Sequence, residues 1–298
     1  MSRAPRADRA PGTCLPRVIV ALVAVAASGP AANAHHAGHD GGAQVTYLAN
    51  EGILVSQGET KILFDPLFDE SFGEYRLVPE PMLAALHAGE PPWDGVDAIF
   101  VSHHHADHFS PQGVLEFLRV HGDVHLYAPA QAVAALRTAA GDAYDALADR
   151  LHGVVPERGG SPQRMAMPGL LVEAISIPHA GWPDRAADVE HIAWRVTLNE
   201  RTTVLHLGDA DAKEEHFAAR QADWDERVLH AAFPPFWFLL SEQGRRVLDE
   251  RLRPLEVIGV HVPVTVPPDP AEREGALAGV ELFTEPGETR EIPALQER

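Results

Sequence analysis

The chain has 298 residues, 45% hydrophobic and 22% charged, which is globular composition and excludes a disordered or fibrous protein. Its formal net charge of −19 repels a nucleic-acid backbone over most of the surface, so a nucleic acid polymer is excluded as partner and a small-molecule substrate is expected. The single cysteine, Cys14, leaves any transition-metal site to carboxylates and to an ample supply of 17 histidines.

The N-terminus carries Arg3, Arg6, Arg9 and Arg17 ahead of the apolar run Val18 to Ala27, with small residues at Ala32-Asn33-Ala34. This is the layout of a secretory signal, and it predicts cleavage after Ala34 and an exported, periplasmic or secreted protein. The run is too short for the roughly 20 residues of a bilayer span, so no stable membrane anchor is expected. Cys14 precedes the run, which argues against lipidation, and leaves with the signal. Residues 35–43, with His35, His36 and His39 among glycines, read as a flexible polar tail.

From Gln44 the pattern is β. Val45 to Leu48, Ile53 to Ser56 and Lys61 to Phe64 are three short strands, the last two joined by Gln57-Gly58-Glu59. A Pro-, Gly- and acid-rich loop from Pro66 to Pro92 follows, with a helical patch around Met82 to His87, and is a candidate lid. Ala98 to Val101 is a buried strand. Ser110-Pro111 supplies an N-cap and a first-turn proline to a helix bearing Val114, Phe117 and Leu118 on one face. Val124 to Tyr127 reads as strand, Ala130 to Leu136 and Ala143 to Leu151 as helix, and Leu170 to Ile177 as strand. Ile192 to Leu198 and Thr203 to Leu207 form a hairpin across Asn199-Glu200-Arg201. Val228 to Ala232 and Val257 to Val260 are the last strands, flanking a helix from Ser241 to Leu252. Two such halves predict two sheets packed face to face with helices outside, as one domain over 44–298.

The chemistry-bearing segment is Ser102-His103-His104-His105-Ala106-Asp107-His108, directly after a strand. In extended chain His103, His105 and Asp107 alternate and converge on one side, while His108 turns towards a second centre. Imidazole and carboxylate donors suit divalent metal ions, zinc first, with manganese and iron as alternatives. His104, between the ligands, points the other way.

On this motif the chain from about Val45 onward resembles the metallo-β-lactamase superfamily, which implies an α/β fold of four layers, an αββα sandwich, and a metal-dependent hydrolase. The resemblance implies two divalent metal ions. His179 in Ile177-Pro178-His179 resembles the third ligand of the first metal, Asp209 in His206-Leu207-Gly208-Asp209 the bridging carboxylate, and His261 in Gly259-Val260-His261 the last ligand of the second. Two metals sharing Asp209 would hold a bridging water acidified towards neutrality, with Asp107 orienting it or relaying its proton. Asp65 in Phe64-Asp65-Pro66 resembles an early aspartate that orients ligands, and reads equally as a turn residue before proline. Histidines 191, 206 and 230 are near-site candidates.

Departures narrow the reading. The absence of a thiolate ligand and the presence of Asp209 argue against a β-lactamase-type amide hydrolase, and His105 stands where flavodiiron oxygen reductases carry glutamate. Tyr47 to Leu54 and Pro178-His179 look more like the branch of ascorbate-phosphate lactonases and N-acyl-phosphatidylethanolamine phospholipases. Hydrolysis of a lactone, ester, amide or phosphodiester is therefore expected, the competing reading being an exported zinc-buffering protein. Tyr75, Phe236 and Trp237 are candidate walls of a substrate pocket, the last two equally candidates for core packing.

Overall fold

In the computed structural model, residues 42–292 are described. The expected signal and cleavage site and histidines 35, 36 and 39 lie outside them. Alternating apolar residues build a seven-stranded sheet in the spatial order β13-β1-β2-β3-β4-β5-β6. Its strands are β1 (Ala43–Ala49), β2 (Gly52–Gln57), β3 (Thr60–Phe64), β4 (Ala98–Phe100), β5 (His125–Pro129), β6 (Leu151–Val154) and β13 (Thr289–Ile292). A six-stranded sheet follows the order β12-β11-β10-β9-β8-β7. It comprises β7 (Gln163–Met167), β8 (Leu170–Ser176), β9 (Ile192–Leu198), β10 (Thr202–His206), β11 (Ala231–Phe233) and β12 (Glu256–Val257).

The period-two alternation decides the layers. Ile53, Val55, Ile62, Phe64 and Phe100 meet Val172, Trp194, Val196 and Phe233 in a dry core between the sheets. The intervening residues Leu54, Leu63 and Ile99 face the other way and pack under helices α1 (Glu80–Ala88), α2 (Pro111–Val120) and α3 (Ala130–Ala140). On the second sheet Ile175, Ala193 and Leu205 lie under Phe217, Trp224 and Phe238 of short helices α4 (Glu215–Ala218), α5 (Gln221–Asp225) and α6 (Trp237–Leu240), and under the segment α7 (Glu242–Arg246) with its continuation to Leu252. Helix, sheet, sheet, helix is the four-layer sandwich expected.

The chain punctuation works as read. Ser110 Oγ accepts from Gly113 N at 3.3 Å at the start of α2, and Ser241 Oγ accepts from Gly244 N at 3.0 Å before α7. Several local expectations shift. The helix expected over Ala143–Leu151 is two tight turns, Gly141–Ala146 and Ala148–Arg150, after which Leu151 joins β6 beside β5. The strand expected at Val228 begins at Ala231, because Val228 is exposed and Leu229 packs under the helical layer. β7 and β13 escape the sequence reading, being polar and partly exposed edge strands. Among the described residues no helix is long and apolar enough to cross a membrane.

Candidate metal centre

Every chemistry-bearing residue lies just past a strand, at one edge of the sandwich. Asp65 follows β3, the histidine cluster follows β4, His179 follows β8, Asp209 follows β10, and His261 follows a bridge of Val260 to Pro235. Strand ends suit such a site because the sheets fix the backbone up to the last residue while the loop sets the side chain free to converge.

The seven predicted ligands come together as two groups. His103, His105, His179 and Asp209 form one, and Asp107, His108 and His261 the other, with the ligand atoms of each group within 4.8 Å of one another. Asp209 faces both. Its Oδ2 lies 3.3 Å from His179 Nε2 and 3.9 Å from His103 Nε2, while its Oδ1 lies 3.1 Å from His261 Nε2 and 3.3 Å from His108 Nε2. Asp107 Oδ2 completes the second group at 3.4 Å from His261 Nε2 and 3.6 Å from His108 Nε2. His104 belongs to neither group.

The donor set suits cations because surrounding bonds aim ring lone pairs inward. His179 Nδ1 donates to the Ala180 carbonyl at 2.8 Å, leaving Nε2 bare and facing Asp209. Asp65 Oδ1 accepts from Ser102 N at 2.7 Å, and Oδ2 accepts from Ser102 Oγ at 2.6 Å and pairs with His108 Nδ1 at 2.9 Å. Ser102 Oγ in turn meets His103 Nδ1 at 3.0 Å. With protons on both Nδ1 atoms, this chain leaves the Nε2 lone pairs of His103 and His108 pointing into the cluster. There ring nitrogens approach in pairs, His103 Nε2 to His105 Nδ1 at 2.9 Å and His108 Nε2 to His261 Nε2 at 3.2 Å. Each pair can share a proton or, with both lone pairs turned inward, a cation.

Electrostatics agree. Burial opposes ionisation of Asp209, but His261, His108 and His179 hold it well below the ordinary carboxylate range. Burial alone would lower His108, and Asp209 and Asp65 instead hold it well above its usual value. Burial and neighbouring rings push His103 and His105 down, towards the neutral form a metal ligand needs, whereas against burial His108 and His179 are drawn up by Asp209, which favours positive charge at that point whether a proton or a cation carries it.

Several supporting residues were not singled out from the sequence. Asn50 Nδ2 donates to the Asp107 carbonyl, and the Asn50 carbonyl accepts from His261 N, both at 2.9 Å, so one turn ties both ends of the second group. Asn50, Asp65 and His261 all hold left-handed backbone, with φ of 48°, 39° and 57°. Such conformations are disfavoured for residues with a Cβ and concentrate where a site demands them. Gly208 has φ of 53°, and a Cβ there would lie 2.5 Å from Ser102 Cβ and 2.8 Å from His191 Nε2. Only glycine lets the backbone before Asp209 pass so close to the His103 segment.

Of the near-site histidines, His191 packs its ring 5.4 Å from that of His103 and bonds Nδ1 to the Ile177 carbonyl, which makes it a buttress. His230 serves the sheet, its Nδ1 accepting from Thr203 N. His206 joins Glu51 and Asp65 in a third buried group. Among the pocket candidates, Tyr75 sets its ring 4.1 Å from His261, edge-on, and Trp237 lies 5.3 Å from the same ring. Phe236 instead packs against the apolar cluster of Val262, Val266 and Leu282.

A family model described as a beta-lactamase superfamily domain matches residues 60–253. No curated protein matches the chain. Among solved structures, the isothiocyanate hydrolase from Delia radicum gut bacteria is 15% identical, with 84% of this chain and 100% of that chain covered and a TM-score of 0.56. Igni18, a metallo hydrolase from the hyperthermophilic archaeon Ignicoccus hospitalis, is 17% identical, with 83% and 97% covered and a TM-score of 0.51. Human tRNase Z, short form, is 11% identical, with 84% and 99% covered and a TM-score of 0.53. Neighbours so different in name share the fold and carry no substrate across to this chain.

Proposed function

The chain belongs to the beta-lactamase superfamily, whose model spans more than half its length, and from that premise we propose that it is a binuclear metal-dependent hydrolase. His103, His105 and His179 hold one divalent ion, Asp107, His108 and His261 the other, and Asp209 spans the two. The observation that carries this is Asp209 itself, whose two oxygens face different imidazole groups. Zinc is the favoured ion, since mixed imidazole and carboxylate donors suit it.

Divalent ions held there would supply Lewis acidity, bringing a water's pKa towards neutrality and stabilising charge on the attacked oxygen. The residues do the rest. Burial works against ionisation of Asp107, but His261 and His108 beside it hold it below the ordinary carboxylate range, so it is ionised and can accept a hydrogen bond from an attacking water and orient it. Asp65 and Ser102 lock the rings of His103 and His108. Tyr75 and Trp237 give one side of the second group an aromatic wall for the substrate.

The substrate class we infer is a lactone, ester, amide or phosphodiester, with the lactonase and phospholipase branch as the nearest in style. We also propose export, with the signal removed after Ala34. Metal analysis of the purified protein, coupled to hydrolysis of chromogenic lactone, ester, phosphodiester and β-lactam substrates, tests the reading. Turnover of at least one substrate that disappears with chelator and returns with Zn2+ is expected. Turnover indifferent to chelator, or surviving His103→Ala, would overturn it.

A further inference from the structure

Glu51 sits in the turn between β1 and β2 and is wholly buried, yet neither of its carboxylate oxygens accepts a hydrogen bond. Buried polar groups are almost always partnered, and an orphaned pair of oxygens points to a missing water or ion. Two further groups converge on the same place. His206, at the end of β10, and Asp65, after β3, are also fully buried and offer ligand atoms within 4.8 Å of those of Glu51 and of each other.

The spacings fit a cation. His206 Nε2 lies 3.0 Å from the Glu51 main-chain oxygen and 3.1 Å from Glu51 Oε2. Neighbouring ligand atoms at right angles on bonds of about 2.0–2.2 Å are separated by about 3 Å. The same edge recurs in the binuclear cluster, where His261 Nε2 lies 3.1 Å from Asp209 Oδ1. Asp65 has capacity to take part. A carboxylate offers about four acceptor positions, and Asp65 uses three, on Ser102 N, Ser102 Oγ and His108 Nδ1. Burial keeps His206 below its usual value, so its ring is neutral and has a lone pair to give. A proton on His206 Nε2 would go to the Glu51 carbonyl, 3.0 Å away, with Oε2 at 3.1 Å as its only other acceptor, and would leave Oε1 with no donor at all. A cation satisfies the whole set.

We propose that Glu51, through its carboxylate and its main-chain carbonyl, binds a third divalent cation together with His206 Nε2 and Asp65. The mixture of three oxygen donors and one imidazole suits Mn2+ or Zn2+. This ion is structural: it joins the β1–β2 turn to the ends of β3 and β10, and through Asp65 it adjoins His108. The binuclear reading is its setting, but the geometry that carries it is that of Glu51 and His206.

The test uses the full chain, stripped with chelator and reloaded with Mn2+ alone. Anomalous diffraction at the manganese edge should show a peak enclosed by Glu51 Oε, the Glu51 carbonyl and His206 Nε2, apart from those at the two proposed hydrolytic positions. Ion counting by mass spectrometry should find one equivalent fewer in Glu51→Leu than in the parent. If that variant does not fold by circular dichroism, His206→Phe serves, as the ring already stacks on Phe64 at 4.9 Å. No peak at Glu51, or a folded variant that keeps the parent's count, overturns the proposal. Missing peaks at the other two positions would instead overturn the binuclear reading, so the two failures are distinct.

Discussion

Replacing Asp65 with asparagine tests the claim that hydrogen bonding beneath the proposed ligands arms the cluster. Three donors approach Asp65, Ser102 N at Oδ1 and both Ser102 Oγ and His108 Nδ1 at Oδ2. Asparagine has one acceptor oxygen and one NH2 group. With the amide in either orientation, its N–H groups face at least one N–H or O–H, so either His108 or the Ser102 backbone loses its partner. Removing a carboxylate that orients a metal-bound imidazole costs about 10–100-fold in metal affinity, which is about 1.4–2.7 kcal/mol. The loss should fall on the half of the site built from Asp107, His108 and His261, and on the further ion proposed at Glu51, which shares Asp65. Competition with a chromophoric chelator for Zn2+, run on parent and Asp65→Asn, reads it directly. An affinity within twofold of the parent would refute the orienting role and leave Asp65 as a turn residue before Pro66.

Other consequences are equally specific. Gly208→Ala forces a Cβ into left-handed backbone and within 2.5 Å of Ser102 Cβ, costing about 1–2 kcal/mol for the conformation and about 1–3 kcal/mol for the overlap. Its urea midpoint should fall accordingly, and a shift worth less than about 0.5 kcal/mol would refute the close-approach argument. Arg195→Met strips Glu173 of bonds at 2.6 and 3.0 Å on the outer face of the second sheet but leaves it Arg164 at 2.9 Å, a loss of about 1.5–3 kcal/mol at neutral pH, the worth of hydrogen bonds to a charged group. Burial works against ionisation of Glu173, but Arg195 and Arg164 hold its carboxyl below the ordinary 4.5. The pair's stabilisation is therefore complete above that pH and fades as pH falls through the lower folded value; equal gaps between parent and variant at pH 7 and at pH 3 would contradict the assignment. Tyr75→Ala should raise KM by about 2–10-fold, the worth of an edge-on aromatic contact, with the ion count unchanged; a lost metal ion would show that Tyr75 supports the cluster instead of the substrate.

Much of this site was legible in the sequence because its largest piece is contiguous. Four proposed ligands of the His103 to His108 segment stand in six residues, and each remaining one follows an apolar strand that periodicity reveals. What stayed hidden is what depends on distant partners. Ser102 acquires its role from Asp65, 37 positions away, and Asn50 from Asp107, 57 positions away. Glu51 sits inside the Tyr47 to Leu54 segment that carried the family resemblance, but nothing local shows that its carboxylate is buried opposite His206. Phe236 and Trp237 are neighbours in sequence, and only packing separates their fates, one against Val262 and the other against His261. The edge strands β7 and β13 were missed for a related reason. Gln163–Met167 lacks an apolar stripe, and Thr289–Ile292 gains its order by pairing with β1 at the other end of the chain.

The central claim is that one carboxylate joins two cation sites, and Asp209→Ala tests it most directly. Ions per chain, counted by mass spectrometry on parent and variant after loading with Zn2+, should drop by two in the folded variant, because each hydrolytic position loses a donor and the charge that holds its imidazoles. Hydrolysis should be lost with them. A folded Asp209→Ala protein with the parent's ion count would contradict the shared bridge.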